Sequence, residues 1–204
     1  MSSKSFSIAV YDYGSGNLHS VRRALEYVQA RVYVGNDKRS LEAADGLVVP
    51  GVGAFSACMQ QLHDAHADEF IRTWIAQGGK FLGICVGHQI LFENGYEHGI
   101  TSKGLGIYPG DVEILRSNQL PHMGWNHVHW DGGTPFEGIA DERFYFVHSY
   151  GVHTAVESAQ VGWTCHEGDK FVSAVRKDNV MSTQFHPEKS GVAGLRLLKN
   201  WILS

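Results

Sequence analysis

The first half of the chain alternates short apolar segments, rich in β-branched residues, with segments whose apolar residues recur at helical spacing. The apolar segments predict strands at residues 7–11, 31–34, 46–49 and 81–84. The segments between them predict helices at residues 18–30 and 54–77, with another beginning at 86–93. Strands that alternate with helices form βαβ units, in which helices cover both faces of a parallel sheet. The sequence therefore predicts an α/β fold.

The second half is richer in strands. Patterned segments predict strands at residues 111–115, 127–130, 143–150, 161–166, 171–176 and 180–185. Residues 168–169 and 177–179 have the composition of hairpin turns, and a helix is predicted at 192–203. No linker, repeat or low-complexity tract divides the chain. We expect one domain over residues 1–204, with a mixed, mostly parallel central sheet and antiparallel excursions in the second half.

Charge and cysteine content exclude several classes of function. The net charge of −4 gives no basic surface for nucleic acid, and no apolar run approaches the roughly 18 residues of a membrane span. The cysteines Cys58, Cys85 and Cys165 are odd in number and widely spaced, which argues against a disulfide framework or a structural zinc site. Nothing like a signal peptide precedes the first predicted strand. We expect a cytoplasmic protein with no metal, no cofactor, no nucleic acid and no membrane partner.

The segment Gly83-Ile84-Cys85-Val86-Gly87 ends a predicted strand and opens a helix. A residue on such a sharp turn often has positive φ, and side chains two positions away on either side would collide there. The turn would direct the Cys85 thiol toward the carboxyl ends of the strands, where folds of this class bind ligands. The alternative is a small buried thiol, since free cysteine is among the most buried residue types. The segment alone leaves both interpretations open.

The segment Gln184-Phe185-His186-Pro187-Glu188 supplies a base and a carboxylate. Pro187 biases His186 toward an extended backbone, in which residues two apart project to the same side. Glu188 can then reach the imidazole of His186 and set its tautomer, as in a Cys-His-Glu triad. The chain has 12 histidines, and most such residues are solvated or structural.

The segment Pro50-Gly51-Val52-Gly53 follows an apolar strand and precedes a helix. Its backbone amides are candidates for an oxyanion hole, although Pro-Gly after a strand is also an ordinary turn. The glycines on both sides of Val52 allow a peptide unit to rotate, whereas β-branched Val52 resists positive φ. We hypothesise that the hole is not stably formed at rest.

The segments PGVG (50–53), GICVGHQ (83–89) and FHPE (185–188), in this order along the chain, resemble the class I (triad) glutamine amidotransferases. The segments 13–17 (YGSGN), 121–126 (PHMGWN) and 146–150 (FVHSY) narrow the resemblance to one branch, the glutaminase (HisH-type) subunits of imidazole glycerol phosphate synthase. The resemblance covers nearly the whole chain. It implies the three-layer fold of that family and hydrolysis of L-glutamine through a cysteine thioester.

The resemblance also implies a role for each matching position. The catalytic residues would be Cys85, His186 and Glu188, and the oxyanion would be held by the amides of Val52 and Val86. The residues that would line the glutamine pocket are Gly53, Gln89, His148, Ser149 and Tyr150. The residues that would face the partner are Asn17, Trp125, Tyr145 and Lys189. The implied partner is a (β/α)₈-barrel cyclase that receives ammonia and forms imidazole glycerol phosphate and the aminoimidazole carboxamide ribotide in histidine biosynthesis.

Three other interpretations remain. The chain could be a paralogous glutaminase that feeds a different synthase, a stress-response or chaperone-like protein that presents a cysteine on a similar turn, or a decayed subunit without activity. The presence of all three triad residue types argues against decay. The chain also departs from the common family pattern, which has Leu and Met where this sequence has Val86 and His88. We expect His88 to pack against its surroundings or to be solvated.

Overall fold

The computed structural model describes residues 6–204; the expectation that no signal peptide precedes the first strand falls on residues 1–5, outside the described residues. The strands of the first half are β1 (Ser7–Tyr11), β2 (Arg31–Gly35), β3 (Gly46–Gly51), β4 (Lys80–Cys85), β5 (Asn94–Glu97) and β6 (Ile100–Lys103). Those of the second half are β7 (Asp111–Ile114), β8 (His122–His127), β9 (His129–Trp130), β10 (Arg143–His148), β11 (Tyr150–Val152), β12 (Gln160–His166), β13 (Asp169–Lys177) and β14 (Val180–Thr183). The helices are α1 (Leu18–Tyr27), α2 (Lys38–Glu42), α3 (Phe55–Asp64), α4 (Ala67–Ala76), α5 (Val86–Gln89) and α6 (Gly191–Leu203).

A large mixed sheet organises the fold, with its main path in the order β2-β1-β3-β4-β14-β13-β11-β7-β5-β6. The run from β2 to β14 is parallel throughout. Beyond β14 the pairs of β13 with β14, β11 with β13 and β7 with β11 are antiparallel. Strands β8 and β10 form a separate antiparallel pair. The predicted α/β fold with a mixed, mostly parallel central sheet and antiparallel excursions is confirmed.

The core is built on the parallel strands. Strand β3 is buried along its whole length, and β1 and β4 along nearly all of theirs, because parallel strands are covered on both faces. Helices α1 and α6 contact each other, and so do α3 and α4. Among residues 6–204, no helix is long and apolar enough to cross a membrane.

Four predicted elements of the first half were wrong in extent. The helix predicted at 18–30 ends at Tyr27, since Gln29 has a positive φ of 69°. The helix predicted at 54–77 is two helices, α3 and α4, separated where His66 takes a left-handed conformation. The strand predicted at 46–49 continues through Pro50 and Gly51, which pair with β4. The helix beginning at residue 86 ends at Gln89, one turn after Cys85.

Other elements were missed or misplaced. The short helix α2 and the hairpin of β5 and β6 were not predicted. The predicted strand at 127–130 corresponds to the end of β8 and to β9, and the PHMGWN segment forms most of β8. The strand predicted at 143–150 is interrupted at Ser149, so that β10 pairs with β8 while β11 joins the large sheet. The interruption separates the two sheets.

The two glycines around Cys85 are required by close backbone packing. A side chain at Gly83 would overlap the carbonyl of Gly87, and one at Gly87 would overlap the carbonyl of Val49 on β3. The turn from β4 into α5 therefore lies directly against the neighbouring strand. The collision predicted from the sequence is confirmed.

Gly87→Ala should lower the free energy of unfolding by about 1–3 kcal/mol, because the added methyl group meets backbone that cannot move independently. The urea midpoint measures this. Gly133→Ala is the matched control, since an added Cβ there has no neighbour within 4 Å and Gly133 has no positive φ. The control should stay within about 0.5 kcal/mol of the unsubstituted protein. Equal losses in both variants would contradict this account of the turn.

Candidate active site

Cys85 ends β4 and precedes α5 with φ of 56° and ψ of −110°, a backbone conformation that non-glycine residues rarely adopt. Its side chain is nearly buried and lines a cavity of about 590 Å³. Strained conformations of this kind persist only where the surrounding structure imposes them. Here the packing of the turn against β3 imposes it. The positive φ predicted for Cys85 is confirmed.

His186 reaches the same cavity from the neighbouring strand. Strand β14 pairs in parallel with β4, with Thr183 opposite Ile84, so the residues after both strands emerge at the same edge of the sheet. A 3₁₀ turn at Pro187–Lys189 then brings the Glu188 carboxylate back to His186. The His186 Nδ1–Glu188 Oε1 distance is 2.8 Å, and both side chains are buried. The structure thus brings Cys85, His186 and Glu188 together.

The imidazole of His186 is poised to hold a proton. Its burial lowers the pKa, but hydrogen bonding and charge from Cys85 and Glu188 outweigh burial and raise the pKa of His186 to about 10. Because Nδ1 donates to Glu188, Nε2 is the nitrogen that remains for the thiol. Within residues 6–204, His186 Nε2 makes no other hydrogen bond. The arrangement can accept a proton from a nucleophile and return it to a leaving group.

The cavity is lined by all five residues predicted for the glutamine pocket, which are Gly53, Gln89, His148, Ser149 and Tyr150. It also contains residues that the sequence analysis missed, among them Glu97 and His98 on the β5–β6 hairpin. The His98-Gly99 turn, where both residues have positive φ, connects the two strands. That His-Gly pair was the available signal for the hairpin.

Two of the predicted pocket residues are held by hydrogen bonds within the protein. The side-chain amide of Gln89 donates to the carbonyl of Tyr150 at 3.0 Å and to Oε1 of Gln184 at 2.9 Å. His148 bonds the same carbonyl through Nδ1 at 2.8 Å, and its burial lowers its pKa to about 3. His148 is therefore a neutral wall of the cavity at neutral pH. Gln184, which was not predicted as a site residue, lies behind Cys85.

Val52 lies at the mouth of the cavity, and its amide is already engaged. The Val52 N–H donates to the hydroxyl of Ser15 at 3.2 Å, and the Ser15 hydroxyl is 3.1 Å from the Val52 carbonyl. Pro50, two residues before Val52, is also held, because the Tyr13 hydroxyl donates to its carbonyl at 2.7 Å. Val86, the other predicted oxyanion residue, is buried at the start of α5. In this conformation the Val52 N–H donates to Ser15 and is not directed into the cavity.

His88 has a packing role. It is fully buried, its Nδ1 lies 2.8 Å from the hydroxyl of Ser182 on β14, and its ring meets Phe92 edge-on. Burial lowers the pKa of His88 to about 3. The expectation that it packs is confirmed, and the bond to Ser182 connects the helix after Cys85 to the strand that leads to His186.

Three of the four residues predicted to face a partner form one surface patch. Trp125 meets Tyr145 edge-on with ring centroids 6.1 Å apart, and the Lys189 ammonium lies 5.9 Å from the Tyr145 centroid. The indole of Trp125 is half exposed. Asn17, the fourth, caps α1 by accepting from the Ser20 amide. In the described part of the chain, no three His, Cys, Asp or Glu side chains are grouped as a metal site.

The pKa of His186 predicts a dependence of stability on pH. The pKa of His186 is about 10 in the folded protein against an ordinary value of 6.5, so the charged imidazole stabilises the fold fully below pH 6.5. That stabilisation is lost as the pH rises through about 10. Glu188→Gln removes a carboxylate that helps to raise the pKa of His186. The fall of the urea midpoint between pH 6.5 and about 10 should therefore be smaller in this variant than in the unsubstituted protein. Glu142→Gln, at an exposed carboxylate, is the control. Identical pH curves for all three proteins would refute the assignment.

Comparisons with known proteins agree with this geometry. A family model described as glutamine amidotransferase class-I matches residues 9–204. The imidazole glycerol phosphate synthase subunit HisH of Corynebacterium glutamicum is 52% identical over 205 residues, which is 96% of this chain and 97% of that protein. The subunit of the same name from Leifsonia xyli is 51% identical over 203 residues, with 96% and 97% covered.

Solved structures support the fold. A crystal structure of a glutamine amidotransferase matches with a TM-score of 0.75 at 18% identity, over 97% of this chain and 99% of that one. A chain of the PurLQS structure from Thermotoga maritima matches with a TM-score of 0.72 at 20% identity, over 98% of both chains. The chain therefore belongs to the class-I glutamine amidotransferases and, within them, to the HisH subunits of imidazole glycerol phosphate synthase.

Proposed function

We propose that Cys85, His186 and Glu188 hydrolyse the side-chain amide of L-glutamine to glutamate and ammonia. The observation that carries this proposal is the His186 imidazole, held by Glu188 at 2.8 Å in the cavity that also contains the Cys85 thiol. An activated thiol, a base and an orienting carboxylate are the parts that nucleophilic catalysis requires.

The reaction proceeds in two halves. In the first, His186 Nε2 holds the proton of Cys85 while sulfur bonds to the carboxamide carbon. The C–N bond then breaks, and the same proton leaves with the nitrogen as ammonia. In the second half, water attacks the thioester, its proton passes through His186 to the departing sulfur, and glutamate is released. Glu188 stabilises the imidazolium at each stage, and together with Cys85, the larger cause, it raises the pKa of His186.

The oxyanion of each tetrahedral intermediate would be held by the amides of Val52 and Val86. Because the Val52 amide is bonded to Ser15, the peptide must rotate before it can donate into the cavity. Val52 is flanked by Gly51 and by Gly53, whose φ is 88°, and these glycines allow the peptide to rotate. This supports the hypothesis that the hole is unformed at rest. A resting enzyme of this kind would hydrolyse glutamine slowly.

The remaining pocket residues recognise the amino-acid end of glutamine. We assign Gly53, Gln89, His148, Ser149 and Tyr150 to the wall of this pocket. Glu97 supplies a carboxylate suited to the ammonium group of the substrate, and its Oε2 is fixed by the Phe55 amide at 2.6 Å.

The partner is proposed to be a (β/α)₈-barrel cyclase, which would take up the ammonia and form imidazole glycerol phosphate and the aminoimidazole carboxamide ribotide. The subunit name of the relatives supports this, and so does the exposure of two large apolar side chains on β8, Met123 and Trp125. We assign Asn17, Trp125, Tyr145 and Lys189 to the interface. A sealed path for ammonia between the two subunits makes chemical sense, because free ammonia is mostly protonated near neutral pH and would lose its nucleophilicity.

A cytoplasmic location fits three free cysteines.

The function is tested by measuring glutamate release from glutamine with the chain alone, with the barrel cyclase, and with the cyclase and its nucleotide ligand. We expect slow turnover alone and a large rise in the complex. Cys85→Ala should abolish turnover while leaving assembly intact, whereas Cys165→Ser, at an exposed thiol, should not change it. Absence of turnover in every condition would overturn the enzyme assignment, and residual turnover in Cys85→Ala would place the nucleophile elsewhere.

Ser15→Ala tests the resting state of the oxyanion loop. Loss of the hydroxyl releases the Val52 amide, so turnover by the chain alone should rise about 2–10-fold, as expected for one hydrogen bond of about 0.5–1.5 kcal/mol. Stimulation by the cyclase should fall correspondingly. Ser15→Thr keeps the hydroxyl and serves as the control. Unchanged basal turnover in Ser15→Ala would show that Ser15 does not restrain the loop.

A further inference from the structure

A continuous series of hydrogen bonds connects strand β8 with the sulfur of Cys85. At one end, Asn126 Nδ2 lies 3.2 Å from His122 Nε2, and His122 Nδ1 lies 3.1 Å from His148 Nε2. His148 Nδ1 lies 2.8 Å from the carbonyl oxygen of Tyr150. The series therefore reaches the wall of the glutamine cavity from β8, the strand that pairs with β10.

The series continues from that carbonyl to the nucleophile. Gln89 Nε2 donates to the Tyr150 oxygen at 3.0 Å and to Gln184 Oε1 at 2.9 Å. Gln184 Nε2 then lies 3.8 Å from Cys85 Sγ, within reach of an N–H···S hydrogen bond. Gln184 is fully buried, and Gln89 nearly so. No charged side chain takes part between Asn126 and Cys85.

Two backbone carbonyls determine the direction of the histidine bonds. A carbonyl only accepts, so His148 must carry its proton on Nδ1 to bond Tyr150. The neutral ring then accepts at Nε2, and His122 must donate from Nδ1. His122 in turn accepts at Nε2 from the amide of Asn126, whose nitrogen also donates to the carbonyl of Cys165 at 2.9 Å. Burial lowers the pKa of both histidines, to about 4 for His122 and about 3 for His148, which keeps the rings neutral.

The same carbonyl determines the direction of the glutamine bonds. Gln89 must turn its nitrogen toward the Tyr150 oxygen, and that nitrogen also meets Gln184. Gln184 must therefore present its oxygen to Gln89 and its nitrogen to Cys85. A group that faces the sulfur with a donor stabilises the thiolate more than the thiol. The orientation of the Gln184 amide is thus fixed by partners that lie away from the reacting atoms.

We propose that Gln184 is a further catalytic residue that donates a hydrogen bond to the Cys85 thiolate, and that Gln89, His148 and His122 are positioning residues that hold this donor in place. The proposal rests on the proposed function, because it assigns a role in activating the same nucleophile. Val52 and Val86 would stabilise the substrate oxygen, whereas Gln184 would act on the sulfur itself.

The test is the rate of alkylation of Cys85 by iodoacetamide as a function of pH, followed by mass spectrometry of the peptide that contains Cys85. Gln184→Glu replaces the donor with an acceptor of the same shape. The midpoint of the profile should move upward by about one pH unit, which makes alkylation about tenfold slower below the midpoint. Gln61→Glu, at an exposed position of α3, introduces the same charge away from the site and should leave the profile unchanged.

Gln184→Met removes the donor without adding charge and keeps the test decisive if the glutamate variant does not fold. It should move the profile in the same direction by a smaller amount. A folded Gln184→Met protein with an unchanged profile would overturn the proposal. Alkylation requires no turnover, so a protein that fails to hydrolyse glutamine but shows the shifted profile would refute the proposed function and not this inference.

The positioning role is tested by His122→Phe, which removes both ring hydrogen bonds and keeps an aromatic ring stacked on Phe146. As a single substitution, it should move the midpoint of the alkylation profile to higher pH than in the unsubstituted protein. In the Gln184→Met background the same substitution should have no further effect, because the donor that it positions is gone. Additive shifts in the double variant would refute the coupling between His122 and Gln184.

Discussion

The rest of the site depends on the contact between the turn at Cys85 and the backbone of β3. Gly83 and Gly87 have no room for a side chain, and the carbonyl of Val49 lies where a Cβ of Gly87 would stand. This packing holds Cys85 in a strained conformation and directs its sulfur into the cavity. The parallel neighbours β3 and β14 then supply, at the same edge of the sheet, the candidate oxyanion loop and the base. One backbone contact thus sets the relative position of three functional groups.

The electrostatic design of the site combines one group that is charged with several that are not. Cys85 and Glu188 raise the pKa of His186 against the effect of burial. The surrounding histidines His88, His122 and His148 are held neutral by burial, with pKa values of about 3 to 4. Because they carry no charge at neutral pH, they do not compete with His186 for the proton or for Glu188. Three buried rings near the site can therefore be present without disturbing its acid–base chemistry.

Sequence patterns predicted the features that depend on local chemistry. The strand-helix alternation predicted the parallel part of the sheet, and the Gly-x-Cys-x-Gly spacing predicted the positive φ of Cys85. Features that depend on contacts between distant segments could not be read in the same way. Ser15 and Val52 are 37 positions apart and Gln184 and Cys85 are 99 apart, so nothing in either segment indicates the bond. The hairpin with Glu97 was missed because its strands are short and their burial pattern is weak.

The separate pair of strands β8 and β10 connects the proposed docking patch to the catalytic base. Its outward side chains, Trp125 and Tyr145, form the patch, while His122 and His148 project from the other face toward the carbonyl of Tyr150. The backbone of Tyr145 is also bonded to the segment that carries the base, since its carbonyl accepts from the His186 N–H at 2.9 Å and its N–H donates to the Ser190 hydroxyl at 3.0 Å. A partner seated on the Tyr145 ring would therefore be one backbone hydrogen bond away from the residue that holds the catalytic proton.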